Sequence, residues 1–147
     1  MPKPEKWIVS PLMRCLHTCD LTWTDMSLAG FAPLVKENAR EVMGEHTCDR
    51  RSSRSAIHKV YPKWPIEDGF SEADELWQAD HRETHAEHDK RTQQLLDDIF
   101  NDEPDAKVVS VTIHSGAIAS FLRVTGHRIF PLPTGGLIPV LVSGRRT

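Results

Sequence analysis

The residues best placed to do chemistry in this 147-residue chain are His114, Ser115 and Gly116. They follow the β-branched run 108–113 and precede the helix-like segment 117–124, which predicts a strand, a tight turn and a helix start. Parallel sheets bind ligands at the carboxyl ends of their strands, and helix N-termini favour anions. His114 is therefore a candidate catalytic residue; the alternative is a structural histidine that caps the helix or hydrogen-bonds within the turn.

Arginines at two other places could bind the same anion. Apolar spacing over 13–23 predicts a helix with Arg14 at its start, where a guanidinium suits a phosphate or carboxylate. The polar loop 44–55 carries three more arginines, Arg50 among them, and could grip an anionic substrate. The alternatives are a surface salt bridge for Arg14 and, for the loop, solvated arginines that pair with Asp49.

Strands and helices alternate among the elements that must position these residues. The predicted strands are 7–12, 108–113 and a last one near an edge at 137–142, and 31–41 holds a short strand or turn. The predicted helices are 13–23, 71–100, starting at a capping-box match, and 117–124. We expect a three-layer α/β/α fold with a mainly parallel sheet, because the strands show no polar face. The strand at 108–113 is expected to be central and buried on both faces.

Size and charge limit the function classes. The length suits one domain, residues 1–147, and a net charge of −3 indicates neither a nucleic-acid nor a membrane partner. No apolar run approaches a membrane span or a signal peptide, and three cysteines without CxxC spacing favour reduced thiols. We expect a soluble, cytoplasmic protein.

Three histidines of the predicted helix at 71–100 have a spacing that could fit a metal site. His81, His85 and His88 fall at i, i+4 and i+7, a candidate zinc spacing. No cysteine or fourth ligand is near, and a charged helix face rich in Glu and His is ordinary. We expect no metal and no other cofactor.

Several motifs, taken in order, resemble one family. Ser-Pro-Leu-Met-Arg at 10–14, Arg-Glu at 40–41 and Val-Thr-Ile-His-Ser-Gly at 111–116 resemble the histidine phosphatase superfamily, the phosphoglycerate mutase-like proteins. The Gly-Glu-His-Thr-Cys-Asp-Arg-Arg-Ser loop at 44–52 and the ending at 126–140 resemble a fungal branch labelled phosphoglycerate mutase-like or phosphomutase-like. The resemblance covers nearly the whole chain.

The resemblance implies a role for each matching residue. In that family a histidine attacks phosphorus, arginines hold the phosphoryl oxygens, a second histidine completes the pocket, and an acid protonates the leaving oxygen. Arg14 resembles the second clamping arginine, Glu41 the proton donor and His114 the second pocket histidine. The implied ligand is a small phosphorylated or anionic metabolite, with Arg50 and the Ser115-Gly116 turn as further binding residues.

One departure from the family pattern concerns the nucleophile. The family's first strand ends in Arg-His-Gly, and this sequence has no Arg-His pair and no histidine or arginine before Ser10. We expect a shortened histidine phosphatase-like domain that lacks the first strand and helix. His17 and His127 are weak substitutes, since neither follows a strand with an arginine before it.

Three functions remain open at this stage. The chain is expected to be of phosphomonoesterase or phosphomutase lineage, with weak or absent phosphatase activity by itself. The alternatives are an isomerase or lyase that uses His114 and Glu41 as acid and base on a non-phosphorylated metabolite, and a non-catalytic binding pseudoenzyme. A lost strand would leave an exposed sheet edge, which predicts a homodimer or a poorly soluble monomer.

Overall fold

The computed structural model describes residues 3–23 and 31–144. Within them the strands are β1 (Lys6–Val9), β2 (Leu34–Val35) and β3 (Val109–Thr112). The α-helices are α1 (Met13–Trp23), α2 (Arg54–Val60), α3 (His85–Asp102) and α4 (Ser115–Val124), with short 3-10 helices at Glu37–Ala39 and Thr47–Asp49. None of the helices in this part of the chain is long and apolar enough to cross a membrane.

The three strands form one parallel sheet in the order β2-β1-β3. The expected central position of β3 is therefore wrong: β1 is the central strand, and β3 is an edge strand of the described sheet. All four residues of β3 are half-buried, so the expected burial on both faces is wrong as well. The reason is topological, because a strand at the end of a sheet has a neighbour on one side only.

The predicted strand at 137–142 is not formed. This segment has no regular structure, and Leu141 is 93 % exposed. Pro139 removes a backbone donor, and without a partner strand an apolar run gains nothing from being extended. The third strand comes instead from the 31–41 segment as β2, where Lys36 donates its N–H to the Val9 carbonyl at 3.1 Å.

Helices cover both faces of the sheet, as expected. Trp7 and Val9 pack in one apolar cluster with Leu16 and other residues of α1. Ile8, between them, points the other way and packs in a second cluster with Leu95 of α3. This alternation is the period of two that a strand imposes on its side chains. The three-layer α/β/α architecture is thereby confirmed.

The long helix begins later than the sequence predicted. Residues 71–84 have no regular helix, and α3 begins after Thr84, whose hydroxyl accepts the Glu87 N–H while the Glu87 carboxylate accepts the Thr84 N–H. The capping-box match at Ser71 was misleading because Asp74 has other partners. Its carboxylate accepts from Arg40 at 2.6 and 2.9 Å.

The polar loop at 44–55 is more ordered than the sequence predicted. It contains the 3-10 helix Thr47–Asp49 and, from Arg54 onward, the start of α2. The Ser53 hydroxyl accepts the Ala56 N–H at 3.1 Å and so caps α2. A serine at this position satisfies a helix-end donor that would otherwise have no intrahelical partner.

Candidate functional site

His114 lies where the sequence predicted, at the carboxyl end of β3 and directly before α4. Its Nε2 is 2.8 Å from the Ser10 hydroxyl, and Ser10 follows β1. The His114 side chain makes no capping hydrogen bond to α4. The capping alternative is therefore wrong, and the imidazole instead joins the ends of two neighbouring strands.

The imidazole of His114 is neutral near pH 7. Burial lowers the pKa of His114 from 6.5 to about 4, and the positive charge of Arg14 lowers it further, with smaller effects from Arg91 and Arg40 that the negative charge of Asp49 opposes. Both effects disfavour the imidazolium, because it loses water and faces like charges. The surroundings of His114 are thus electropositive.

Arg14 lies in the first turn of α1, as predicted, and is about half exposed. Its guanidinium donates to the Cys48 carbonyl and, at 2.9 Å, to the Asp49 carboxylate. Arg82 donates to the other oxygen of Asp49, also at 2.9 Å. Burial raises the pKa of Asp49, but the hydrogen bonds and charges of Arg82 and Arg14 outweigh it and leave the pKa below its usual value.

Glu41 lies against the first turn of α4. Its carboxylate accepts the Val42 N–H at 3.0 Å and the Gly116 N–H at 3.1 Å. A Cβ at position 116 would come within 2.1 Å of a Glu41 oxygen, so only glycine leaves room for this contact. Ser115 is exposed beside it. The predicted Ser115-Gly116 turn is therefore adjacent to the predicted acid.

Arg91 of α3 holds the main chain that carries Glu41. Its guanidinium donates to the carbonyls of Asn38, Arg40 and Glu41 at 2.8–3.1 Å and forms two hydrogen bonds with the Glu83 carboxylate. Burial raises the pKa of Glu83, yet the hydrogen bonds and charge of Arg91 outweigh it, so the pKa is lowered. A planar guanidinium with five donors can satisfy several carbonyls and a carboxylate at once.

Arg40, directly before Glu41, anchors the segment that carries Glu41 through a different set of partners. Its side chain is fully buried and pairs with Asp74 and Glu37, and it donates to the Asp49 carbonyl at 2.8 Å. Burial lowers the pKa of Arg40, but the hydrogen bonds and charges of both carboxylates raise it overall. Arg40 therefore ties the loop before Asp74 to the loop that carries Asp49.

Arg50 is not brought to the other predicted residues. Its guanidinium lies over the Trp77 ring, 5.4 Å from the centroid, and among the described residues no contact joins it to Arg14, Glu41 or His114. Arg14, Glu41 and His114 therefore lie beyond the carboxyl ends of the strands, whereas the Arg50 guanidinium packs on Trp77.

The three histidines of the zinc hypothesis do not share one helix. His81 precedes α3, whereas His85 is exposed at its start and His88 is buried. His81 lies 3.3 Å from Glu87. Within residues 3–23 and 31–144 no group of three or more His, Cys, Asp or Glu side chains is arranged to hold a metal ion.

Sequence reasoning missed four residues of the site: Ser10, Arg82, Arg91 and, as a partner of Arg14, Asp49. Ser10 carried a usable signal, since it ends β1 as His114 ends β3 and neighbouring parallel strands end together. The other three gave no signal, because Arg14, Asp49 and Arg82 are joined over more than thirty residues of sequence and Arg91 binds main-chain carbonyls about fifty residues away.

Comparison with known proteins gives a consistent result. The family model for the histidine phosphatase superfamily (branch 1) matches residues 2–129. The chain is 47 % identical over 142 residues to "Phosphomutase-like protein 3" of Candida albicans, covering 97 % of this chain and 44 % of that protein. It is 48 % identical over 145 residues to a "Probable phosphoglycerate mutase" of Arthroderma benhamiae, covering 97 % and 43 %.

A plant protein is more distantly similar. "Phosphoglycerate mutase-like protein 1" of Arabidopsis thaliana is 31 % identical over 154 residues, which cover 88 % of this chain and 54 % of that protein. The chain therefore spans about half the length of the curated relatives it matches.

Proposed function

Because the chain belongs to the histidine phosphatase superfamily (branch 1), we propose that it binds a small phosphorylated or anionic metabolite and has weak or no phosphomonoesterase activity by itself. The observation that supports this proposal is that Arg14 follows β1, His114 follows β3 and Glu41 contacts Gly116 in the first turn of α4, so all three lie beyond the carboxyl ends of parallel strands. That edge is where open α/β sheets accommodate ligands.

Each of the three residues has a part in binding. Arg14 keeps about half of its side chain exposed, so its guanidinium can reach a phosphoryl oxygen. His114 is neutral near pH 7, and because its Nε2 is hydrogen-bonded to Ser10, a ligand is met by Nδ1, as donor or acceptor according to the tautomer. Glu41 accepts the backbone N–H groups of Val42 and Gly116, the latter in the first turn of α4, and is the acid proposed to face the leaving oxygen.

The proposed weakness of the reaction follows from the nucleophile. No Arg-His pair occurs in the sequence, and His114 is already hydrogen-bonded to Ser10. Attack on phosphorus then falls to water, organised by the three residues, and losing a covalent nucleophile commonly lowers the rate by orders of magnitude.

The experiment that tests binding uses the purified chain and millimolar inorganic phosphate or phosphomonoesters. We expect the melting temperature to rise with ligand and the rise to vanish in Arg14→Ala. Arg128→Ala is the matched control, because Arg128 is exposed after α4 and is expected to leave the shift unchanged. No shift in the unaltered chain would contradict the proposed anion site.

Catalytic activity is tested separately by incubating the chain with a broad panel of phosphomonoesters and with an extract of cellular metabolites. Phosphate release and metabolite loss are followed for the unaltered chain and for His114→Ala. Brisk phosphate release that disappears in the variant would overturn the proposed weak activity. Metabolite conversion without phosphate release would favour acid–base chemistry by His114 and Glu41 instead.

We also propose that β3 pairs with β3 of a second copy. β3 ends the described sheet, its residues are half-buried, and Val109 and Val111 give it the β-branched composition of a paired strand. An edge strand of this kind offers unpaired backbone donors and acceptors along its open side, with which another chain can pair.

A further inference from the structure

The Asp49 carboxylate is shared by two arginines from distant parts of the chain. One oxygen accepts from Arg14 in α1 and the other from Arg82, in the loop that precedes α3, each at 2.9 Å. When two guanidiniums bind the two oxygens of one carboxylate, the distance between them is limited by the size of the carboxylate and the length of the two hydrogen bonds. The arrangement therefore fixes the spacing of two cations that the sequence separates by 68 positions.

The carboxylate lies beneath the two arginines rather than above them. The Asp49 side chain is 6 % exposed, whereas those of Arg14 and Arg82 are 47 % and 30 % exposed. One carboxylate neutralises only one of the two charges. A net positive charge thus remains, on the side of the pair that faces solvent.

Arg82 also has hydrogen-bond donors to spare. Its Nη1 donates to the Gly44 carbonyl at 2.8 Å and to Asp49. Within residues 3–23 and 31–144 its Nη2 and Nε have no protein acceptor, although a guanidinium carries five N–H donors. Donors of this kind, on a partly exposed guanidinium whose Nη1 is held in place, match the oxygens of a phosphate or carboxylate.

The pair belongs to the site already described. The charge of Arg14 lowers the pKa of His114, and the charge of Asp49 opposes that effect, so Arg14, Asp49 and His114 act on one another. Glu83, next to Arg82 in sequence, is occupied by Arg91 at 2.7 Å and does not neutralise the pair. An anion bound at Arg14 would therefore lie beside Arg82, because both guanidiniums bind Asp49.

We propose that Arg82 is a second anion-binding arginine, which binds together with Arg14 and is held at the right spacing by Asp49. The ligand class is a phosphoryl or carboxylate group of a small metabolite, so this inference rests on the proposed function. Arg82 supplies a cation from a segment that no motif in the sequence singles out. The competing role is a structural tether that only fastens Gly44 and Asp49.

Isothermal titration of the full chain with inorganic phosphate separates the two roles. We expect Arg82→Gln to weaken phosphate binding about tenfold or more, as losing a charge-assisted hydrogen bond does, and Arg14→Gln to weaken it at least as much. Arg82→Lys keeps the charge and is expected to fall between Arg82→Gln and the unaltered chain. The control, Arg128→Gln, is expected to match the unaltered chain.

The outcomes distinguish this inference from the proposed function. Loss of binding in Arg14→Gln with unchanged binding in Arg82→Gln overturns the role of Arg82 and leaves the anion site intact. No binding in the unaltered chain overturns both.

If Arg82→Gln fails to fold, the unaltered chain itself provides the test. We expect phosphate to shift the Nε–H resonance of Arg82 in a nitrogen-edited NMR spectrum, together with that of Arg14. A resonance of Arg82 that stays in place while that of Arg14 moves overturns the proposal.

Discussion

The Glu41 carboxylate accepts the backbone N–H of Gly116 at 3.1 Å, which joins the end of one loop to the first turn of α4. A side chain at position 116 would displace that carboxylate, since its Cβ would come within 2.1 Å of it. We expect Gly116→Ala to lower the free energy of unfolding by about 1–3 kcal/mol, as overpacking does. Chemical denaturation measures this change.

The control for that variant is Gly144→Ala. The atoms nearest to its added Cβ would be those of the Phe100 ring, at 3.4 Å. We expect this variant to unfold like the unaltered chain. Equal stability of both variants would show that the Glu41–Gly116 contact tolerates a side chain.

Phosphate binding should change the titration of His114. Its pKa in the free chain is lowered to about 4, by burial and by the charge of Arg14. A bound phosphate adds negative charge beside the ring and favours the imidazolium, so we expect the pKa to rise. NMR titration of the ring resonances with and without phosphate measures the shift. His58, exposed on α2, is the internal control. If the pKa of His114 is the same with and without saturating phosphate, the anion does not bind beside this ring.

His88 makes the fold sensitive to acid. Burial lowers its pKa from 6.5 to about 4, with Arg91 and Arg123 also lowering it and Glu83 and Glu41 opposing them. The unfolded chain therefore takes up a proton near pH 6.5, before the folded chain does. The stability present above pH 6.5 is lost as the pH falls towards 4, by an amount on the order of 3 kcal/mol for this residue.

The variant His88→Leu tests this acid sensitivity. Both ring nitrogens of His88 are buried without a hydrogen-bond partner among the described residues, so an apolar side chain of similar size removes a desolvation cost. We expect His88→Leu to be as stable as the unaltered chain at pH 7.5 and more stable at pH 5. His58→Gln, at an exposed position, should leave the pH dependence of unfolding unchanged. A steeper loss of stability on acidification in His88→Leu would contradict the account.

Arg40 should be among the most sensitive positions of the chain. Its side chain is fully buried against Asp74, which is 1 % exposed. Arg40→Gln leaves that carboxylate without its cation, and breaking a buried pair costs about 3–5 kcal/mol. Denaturation midpoints measure the loss, with Arg128→Gln as the exposed control. A loss below about 1 kcal/mol, the range of surface pairs, would show that water replaces the pair.

The proposed β3 pairing is tested by light scattering over a range of protein concentration. We expect a dimer, or a monomer that self-associates as concentration rises, because β3 ends the described sheet. Amide exchange through β3 should slow as the dimer forms. A well-behaved monomer at all concentrations, with slow exchange in β3, would contradict the pairing.

The elements whose signals are local could be predicted from the residues alone. The apolar runs predicted β1 and β3, the helical spacing at Met13 predicted α1, and the His-Ser-Gly turn predicted the start of α4. The family followed from motifs in order. These signals are readable because strand and helix periods and turn residues depend on neighbours in the chain.

Long-range packing selected between competing local signals. The long helix begins after Thr84 and not at the capping-box match at Ser71, because Asp74 pairs with the buried Arg40. The apolar run at 137–142 did not become a strand, whereas the less conspicuous Leu34–Val35 did, since it lies beside β1. A strand needs a partner, and partners are chosen over distances that no local pattern encodes.

The candidate site divides in the same way. Residue type and position predicted Arg14 and His114, and the family resemblance predicted Glu41. Asp49, which fixes Arg14, lies 35 residues away from it in sequence. That pairing depends on how a loop folds back over the sheet edge. Long-range ion pairs are set by the packing that brings two segments together, so they appear only once the chain has folded.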